Sequence, residues 1–253
     1  MAKTIQQIKD ELNNAGEGEI YDLLSIYGKD TRKGVVNLVV KCQRDIEKLR
    51  QERERLKQMR FFEDKYKGRY INIAGIDEAG RGPLAGPVVA GAVILPGDCE
   101  ILYLNDSKQV NKKKREELYD DIKEKAVTYG IGIVSPERID EINILQATYE
   151  AMREAVSNMK IEPDCLLVDA VNIPGMSCKQ VGIVKGDEKS LSIAAASIMA
   201  KVTRDRIMAE FDKAYPEYGF ASHKGYGSKA HIEAVKRNGP CPIHRRTFIK
   251  NFI

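Results

Sequence analysis

The sequence has no tryptophan, three histidines and five cysteines among 253 residues. The cysteines are scattered and form no C-x-x-C pair, which argues against a disulfide framework and against a zinc ribbon. Cys241 and His244 have C-x-x-H spacing, but no second pair of ligands accompanies them. We therefore expect free, reduced thiols in an intracellular protein and no structural zinc.

Long apolar segments are also missing, since none approaches the roughly 18 uncharged residues that a membrane helix needs. The most apolar stretch, Pro83 to Pro96, is short and contains Gly86, Pro87 and Gly91. The N-terminus reaches the charged Lys9 too soon to contain the apolar core of a signal peptide. The sequence thus predicts a cytoplasmic protein with no membrane interaction.

The net charge of +4 is unevenly distributed. Residues 1–70 hold 16 Lys and Arg against 12 Asp and Glu, whereas residues 71–253 hold 25 of each. Within the larger part, basic side chains concentrate at Lys108–Arg115 and Lys224–Lys250. Basic surfaces around an acidic centre are typical of enzymes that bind a polyanion and hold cations. Solvated surface charge remains an alternative explanation for either basic run alone.

Residues 1–68 are predicted to be helical. We expect Thr4 to cap a short first helix and residues Ile20 to Ile26 to form a second helix. Thr31 is expected to cap a long third helix. The third helix has apolar residues at 4-3-4-3-7 spacing, namely Val35, Val39, Cys42, Ile46, Leu49 and Leu56. This seam is too short to establish a coiled coil, so packing on a neighbouring element or on a partner is an equal alternative.

From Tyr70 onward, the pattern changes to alternating or fully apolar strands with helices interleaved. The predicted strands are Ile71–Asp77, Val88–Leu95, Tyr129–Val134, Cys165–Asp169 and Gln180–Val184. The predicted helices are Asn111–Ala126, Ser135–Met159, Asp187–Ala214 and Ser228–Arg237, the last with His231 on its surface. We predict a basic helical extension over residues 1–68 and an α/β domain with a mixed sheet flanked by helices over residues 69–253.

Two adjacent carboxylates, Asp77 and Glu78, end an apolar strand and lead into a glycine-rich turn. Neighbouring strand residues point to opposite faces, so the two side chains converge only if the turn redirects one or both. Such a pair is costly without a cation, because like charges in proximity resist joint ionisation. Hard oxygen ligands of this kind suit Mg²⁺ or Mn²⁺ rather than zinc.

The glycines that follow do not form a dinucleotide-binding fingerprint. Gly80, Gly82 and Gly86 have a spacing one residue too long, and a strand follows them where that fingerprint requires a helix. A loop whose backbone approaches a ligand closely is the better interpretation. Arg81 is then available for a phosphate.

Two more carboxylates follow predicted strands. Asp169 ends the strand that begins at Cys165, and Asp187 lies at a predicted helix start. Taken alone, the first is also explained as a turn residue and the second as a helix N-cap. With Asp77 and Glu78, however, they match the number of acids in a two-metal phosphodiesterase site.

The segment Gly75-Ile-Asp-Glu-Ala-Gly-Arg-Gly-Pro-Leu-Ala-Gly-Pro-Val88 closely resembles the opening motif of the bacterial ribonuclease HII family. Further blocks of that family occur in the same order over residues 69–253. They are Asn105-Asp-Ser-Lys108, Leu167-Val-Asp-Ala170, Lys185-Gly-Asp-Glu-Lys-Ser190, Ile193–Asp205 and Ser222-His-Lys-Gly-Tyr-Gly227. The resemblance implies a ribonuclease H-like fold. It also implies cleavage of the RNA strand of RNA–DNA hybrids, and of duplex DNA 5′ to a single ribonucleotide, leaving 3′-hydroxyl and 5′-phosphate ends.

Residue by residue, the resemblance implies a role for nine positions. The metal-binding and catalytic acids fall on Asp77, Glu78, Asp169 and Asp187, with Mg²⁺ or Mn²⁺ as the cofactor. The element whose backbone meets the ribose 2′-hydroxyl falls on Gly80, Arg81 and Gly82. Tyr226 matches the tyrosine that packs on the sugar 3′ to the cut, and packing in the protein core is the alternative role for it. Lys108 is expected to contact a phosphate. A monomer is expected.

The alternatives are two other nucleases and, from another class, a binding protein. Ribonuclease HIII is disfavoured by Arg81 inside the glycine element and by an N-terminal segment without the alternating strands of a sheet-like DNA-binding domain. An integrase-like nuclease of the same fold requires no sensor of the 2′-hydroxyl. A catalytically silent binder of RNA–DNA hybrids gains nothing from four acids placed beneath a phosphate.

Overall fold

Residues 3–250 are described by the structure, a computed structural model, and their contacts divide the chain into two units, Met1–Arg55 and Leu56–Ile253. Among the described residues, no helix is long and apolar enough to cross a membrane. The predicted boundary between residues 68 and 69 differs from this division and stays a prediction.

Helices make up the first unit. They are α1 (Ile5–Asn14), α2 (Glu19–Tyr27) and most of α3 (Lys33–Met59). Thr4 caps α1 as predicted: its hydroxyl accepts a hydrogen bond from the Gln7 amide at 3.2 Å, and the Gln7 side chain accepts one from the Thr4 amide at 2.9 Å. The long helix begins at Lys33, two residues after Thr31. The first part of its apolar seam packs on α1 and α2, and the residues that form this core are Ile8, Leu12, Ile20, Leu24, Tyr27, Val35 and Val39.

The second unit is built on a five-stranded sheet. Its strands are β1 (Ile73–Ala79), β2 (Val88–Ile94), β3 (Thr128–Val134), β4 (Cys165–Asp169) and β5 (Lys179–Ile183), in the order β3-β2-β1-β4-β5. The first three strands pair antiparallel, whereas β4 is parallel to both β1 and β5. The predicted mixed sheet is therefore confirmed.

Helices flank this sheet, as predicted. The remaining helices are α4 (Phe61–Tyr66), α5 (Lys112–Lys125), α6 (Pro136–Ser157), α7 (Leu191–Ala214), α8 (Phe220–His223), α9 (Lys229–Asn238) and α10 (Arg246–Ile249). One core lies between the sheet and α6, and another between the sheet, α5 and α7. The helices pack directly on strand backbone, because a Cβ at Gly132 would lie 1.9 Å from Ala151 O, and one at Gly91 would lie 2.5 Å from Ala196 O.

The start of α7 differs from the prediction that a helix opens at Asp187. Residues 186–188 form a 3₁₀ turn, and α7 begins at Leu191 with Ser190 as its cap. The Ser190 hydroxyl accepts from the Ile193 amide at 3.2 Å and donates to the Glu63 carboxylate at 2.6 Å. Ser190, whose side chain Glu63 holds in place, is therefore the cap of α7, and Asp187 is not.

His231 is buried, so the prediction of a surface position for it was wrong. Its ring is fully buried in a third core, stacked on His223 with 4.4 Å between ring centroids, and it meets the edge of Phe220. A helix pattern alone does not reveal such a position, because the partners of His231 come from other segments of the chain.

Candidate active site

The parallel strands bring the predicted acids to one end of the sheet. Asp77 follows Ile76 in β1, and Asp169 follows Val168 in β4, where Ile76 and Val168 are paired. Since adjacent parallel strands end on the same side, both carboxylates lie at that edge. Asp169 and Glu78 contribute like charge to the surroundings of Asp77.

Asp187 reaches the same edge through the connection after β5. Ile183, the last residue of β5, pairs with Asp169, and the chain then turns through Lys185, which has a left-handed φ of 56°. The Gly186 amide donates a hydrogen bond to Asp169 Oδ1 at 2.8 Å. This bond holds the 3₁₀ turn against the end of β4 and places Asp187 beside Asp169.

The first two acids remain within a regular strand. Asp77 pairs with Gly91 and Glu78 pairs with Ala90, so no turn redirects either side chain. Asp77 is only 6% exposed, and its Oδ1 accepts a hydrogen bond from the Glu78 amide at 2.7 Å. The two carboxylates are therefore neighbours along the strand, and each is close enough to Asp169 to respond to its charge.

The pKa values of three acids are raised. Burial and the charges of Glu78 and Asp169 hold the pKa of Asp77 well above its ordinary value. Burial also raises the pKa of Glu78, and Asp169 adds to that shift against the opposing charge of Arg81. The pKa of Asp187 is raised to about 6 by burial and by the charges of Asp106 and Asp169. The carboxylates at this edge of the sheet thus carry more negative charge than the nearby basic side chains offset.

Asp106 is a fifth acid that the prediction did not assign to the site. It is 7% exposed, and its charge and side-chain contact help to raise the pKa of Asp187. Its Oδ1 also accepts from the Lys108 amide at 2.9 Å, which shapes the turn between them. The only sequence signal was its place in the block Asn105 to Lys108, where it resembles an ordinary turn residue.

Lys108 lies among these carboxylates. Burial opposes its positive charge, but the summed charges of four surrounding acids outweigh that effect and raise the pKa of the ammonium group; they are Asp106, Asp187, Asp77 and Asp169. A lysine held at this position partly compensates the negative charge. It is also a basic side chain available to a phosphate that enters the site.

The residues present suit a hard divalent cation in chemistry but are not preassembled around one. Among residues 3–250, no group of three or more His, Cys, Asp or Glu side chains is arranged to hold a metal ion. The donors are carboxylate oxygens, which Mg²⁺ and Mn²⁺ prefer, and burial with the like charges of Glu78 and Asp169 raises the pKa of Asp77. The chemistry of these donors therefore fits a divalent cation.

The predicted glycine element and Tyr226 lie next to each other. Gly80 has φ of +97°, and a Cβ built on Gly82 would lie 3.9 Å from Tyr226 Cε1. Tyr226 is 47% exposed, which excludes core packing as its role. Arg81 is also exposed, and its guanidinium lies 3.5 Å from Glu78 Oε1. The exposed ring and the glycine backbone thus form one surface beside the acids.

Comparison with known proteins gives the same family over both units. The family model described as Ribonuclease HII matches residues 74–251, and the one described as Ribonuclease HII N-terminal domain matches residues 4–67. The Ribonuclease HII of Lachnoclostridium phytofermentans is 58% identical over 247 residues, which cover 98% of this chain and 97% of the relative. That of Clostridioides difficile is 51% identical over 252 residues and 99% of each chain.

Solved structures share the fold of the larger unit. The ribonuclease H2 from Pyrococcus horikoshii OT3 superposes with a TM-score of 0.61 at 31% identity. The similarity covers 72% of this chain and 97% of that one.

Proposed function

Because the chain belongs to the ribonuclease HII family and is a ribonuclease H, we propose that it cleaves the RNA strand of RNA–DNA hybrids and duplex DNA 5′ to a single ribonucleotide, leaving 3′-hydroxyl and 5′-phosphate ends. The observation that carries the proposal is the gathering of four acids at one sheet edge, where Asp77 and Asp187 are buried and Glu78 and Asp169 are partly buried. Like charge among these carboxylates contributes to the raised pKa values of Asp77, Glu78 and Asp187.

These four acids would hold Mg²⁺ or Mn²⁺. When bound, such cations lower the pKa of water and stabilise the departing 3′ oxygen of a phosphodiester. The raised pKa values of Asp77 and Asp187 are consistent with this role, because a divalent cation relieves the repulsion among the carboxylates. Asp106, whose charge helps to raise the pKa of Asp187, would lie next to the bound cations.

The substrate would be positioned by the surface beside the acids. The backbone of Gly80, Arg81 and Gly82 would meet the 2′-hydroxyl, which is the group that distinguishes RNA from DNA. Tyr226 would pack on the sugar 3′ to the cut, and Lys108 would contact a phosphate. Family membership favours these roles over those of ribonuclease HIII.

The remaining predictions concern the setting of the enzyme. We propose that residues 69–253 carry the chemistry and that the basic helices of residues 1–68 strengthen binding to the substrate. A cytoplasmic location and a monomeric state stay predictions.

The proposal is tested with a duplex that contains one ribonucleotide, incubated with Mg²⁺ beside an all-DNA duplex of the same sequence. We expect a single cut 5′ to the ribonucleotide and no cut in the all-DNA duplex. Cleavage of both duplexes at equal rates would favour an integrase-like nuclease, and binding without cleavage would favour a silent hybrid-binding protein.

A further inference from the structure

Two arginines are buried beneath the glycine element. Arg204, on α7, is 1% exposed, and Arg245, just before α10, is fully buried. Neither forms a salt bridge with a carboxylate within residues 3–250. Buried charges are normally paired with an opposite charge, because their desolvation is expensive. An arginine buried without an acid therefore requires another explanation.

Arg245 instead donates to backbone carbonyls of the loop formed by residues 80–87, which we call the glycine loop. Its Nη2 donates to the oxygen of Gly80 at 2.6 Å, and its Nη1 donates to that of Arg81 at 2.9 Å. Nε and Nη2 also donate to Gly86 O at 3.0 and 2.8 Å. One planar guanidinium thus fixes the direction of three carbonyl groups in the loop.

Arg204 holds the other end of the same loop. Its Nε donates to Pro87 O at 2.9 Å and its Nη2 to Ala85 O at 3.0 Å. Its Nη1 donates to Lys224 O at 2.9 Å, two residues before Tyr226, and its guanidinium lies 6.0 Å from the centre of the Tyr226 ring. Arg204 thereby connects the glycine loop to the segment that carries the exposed tyrosine.

The orientation of two amides follows from these carbonyls. A trans peptide is planar, so the C=O of one residue and the N–H of the next point in opposite directions, and the chain has no cis peptide among its described residues. Because the carbonyls of Gly80 and Arg81 point toward Arg245, the N–H groups of Arg81 and Gly82 point away from it. Neither amide donates to a backbone acceptor within residues 3–250.

From this geometry we infer that Arg245 is a positioning residue, which with Arg204 orients the Arg81 and Gly82 amides as ready donors to the 2′-hydroxyl oxygen of a ribonucleotide. The inference rests on the proposed function. It explains why an arginine is buried here without an acid, since five N–H donors in a rigid fork are needed to hold several carbonyls at once. A lysine carries the same positive charge but lacks the planar set of N–H donors that binds several carbonyls.

The close packing of Arg204 on the loop supports the same assignment. A Cβ at Gly80 would lie 2.1 Å from Arg204 Nε, so only glycine fits against the guanidinium there. Burial lowers the pKa of Arg245 to about 9, with a further contribution from Arg204, and the group remains charged at neutral pH. Both positive charges lie behind the amides, where they favour an approaching oxygen.

Arg245→Lys in the full chain tests the inference, with Arg246→Lys as the matched control because Arg246 is adjacent and exposed. Affinity is measured in EDTA for three duplexes of one sequence, which contain a single ribonucleotide, a 2′-fluoro analogue or only DNA. We expect Arg245→Lys to reduce the preference for 2′-hydroxyl over 2′-fluoro by roughly three- to tenfold, the worth of about one hydrogen bond. We expect Arg246→Lys to keep that preference.

A second measurement needs no variant. In the wild-type protein, hydrogen exchange at the Arg81 and Gly82 amides should slow when the ribonucleotide duplex is added, but not when the all-DNA duplex is added. Equal protection by both duplexes, or an unchanged preference in folded Arg245→Lys, would overturn the inference while ribonucleotide-dependent cleavage persists. Absence of that cleavage in the wild-type protein would overturn the proposed function and the inference together.

Discussion

The Nε2 atoms of His231 and His244 lie 3.0 Å apart in the third core of the larger unit. His231 Nδ1 lies 2.9 Å from Tyr226 O, which only accepts, so that nitrogen carries the proton and its Nε2 accepts. His244 Nε2 must then donate, and its Nδ1 accepts from the Cys241 amide at 3.0 Å. The contacts therefore fix one neutral tautomer for each ring and tie the Tyr226 backbone to the core.

This pair makes the folded protein sensitive to acid. Burial, together with repulsion from His231, Arg246 and His223, lowers the pKa of His244 to about 4. In the unfolded chain the pKa is about 6.5, so between these values the unfolded state binds more protons and stability falls as pH falls. We expect His244 to account for about 2 kcal/mol of the free energy of unfolding lost between pH 7.5 and 5.

Urea unfolding of the wild-type protein and of His244→Gln at both pH values measures this contribution. Glutamine retains a donor toward His231 but has no proton to gain, and effects of the carboxylates are common to both proteins. The variant should lose less stability on acidification than the wild type. The same loss in both proteins would show that His244 does not titrate in this way.

Tyr226→Ala should impair cleavage more than affinity. The exposed ring lies beside Gly82, where we propose that it positions the sugar at the cut. Phosphate contacts generally supply most of the affinity of a protein for nucleic acid. We expect single-turnover cleavage at one ribonucleotide to fall about 100-fold, since a small misplacement of reacting groups has that effect. Tyr21→Ala, which removes a ring that is 60% exposed in the first unit, is the control and should cleave normally. Parallel losses in affinity and cleavage for Tyr226→Ala would refute the positioning role.

Basic residues on α3 should contribute to the dependence of affinity on salt. Lys41, Arg44 and Lys48 are exposed and form no ion pair within residues 3–250. Neutralising three phosphate-contacting charges reduces the slope of log affinity against log salt by roughly 2 to 3. The triple variant Lys41→Gln, Arg44→Gln, Lys48→Gln should show this change with an unaltered cleavage rate at saturation.

The control for that experiment removes three exposed lysines of the same unit that lie outside residues 41–48, namely Lys9, Lys29 and Lys33 at the very start of α3, each changed to Gln. An equal change in slope for both triple variants would mean that only net charge matters. No change in the α3 variant would remove the proposed role of that helix and would favour mere docking of residues 1–68.

Local signals made much of the fold predictable. Ser135 and Asn111 cap α6 and α5 through bonds to residues three positions along, so the cap residue and the helix start appear together in the sequence. The strand end at Asp169 was similarly visible as an apolar run that stops at an acid, whereas the predicted end at Asp77 was wrong because β1 continues to Ala79. The two acids lie at one edge of the sheet because β1 and β4 pair in parallel. Alternating strands and helices in the sequence favour such parallel pairing.

Other features depend on distant contacts and were not predictable. His231 is buried by His244 and Phe220, and Arg245 is buried by carbonyls some 160 residues earlier in the chain. Sequence patterns report the periodicity of one segment and not its long-range partners. Asp106 was missed for the same reason, since its side-chain contact with Asp187 joins two separate turns.

The central claim is that the acids at the sheet edge catalyse metal-dependent cleavage beside a ribonucleotide, and Asp77→Asn tests it most directly. The variant removes one ligand charge and keeps the side-chain shape; Asp120→Asn, an exposed acid on α5, is its control. Cleavage of an end-labelled duplex with one ribonucleotide is measured in millimolar Mg²⁺, beside binding of the same duplex in EDTA. We predict that Asp77→Asn binds but does not cleave, whereas Asp120→Asn and the wild type cut 5′ to the ribonucleotide. Cleavage by Asp77→Asn within a few-fold of the wild-type rate would contradict the account.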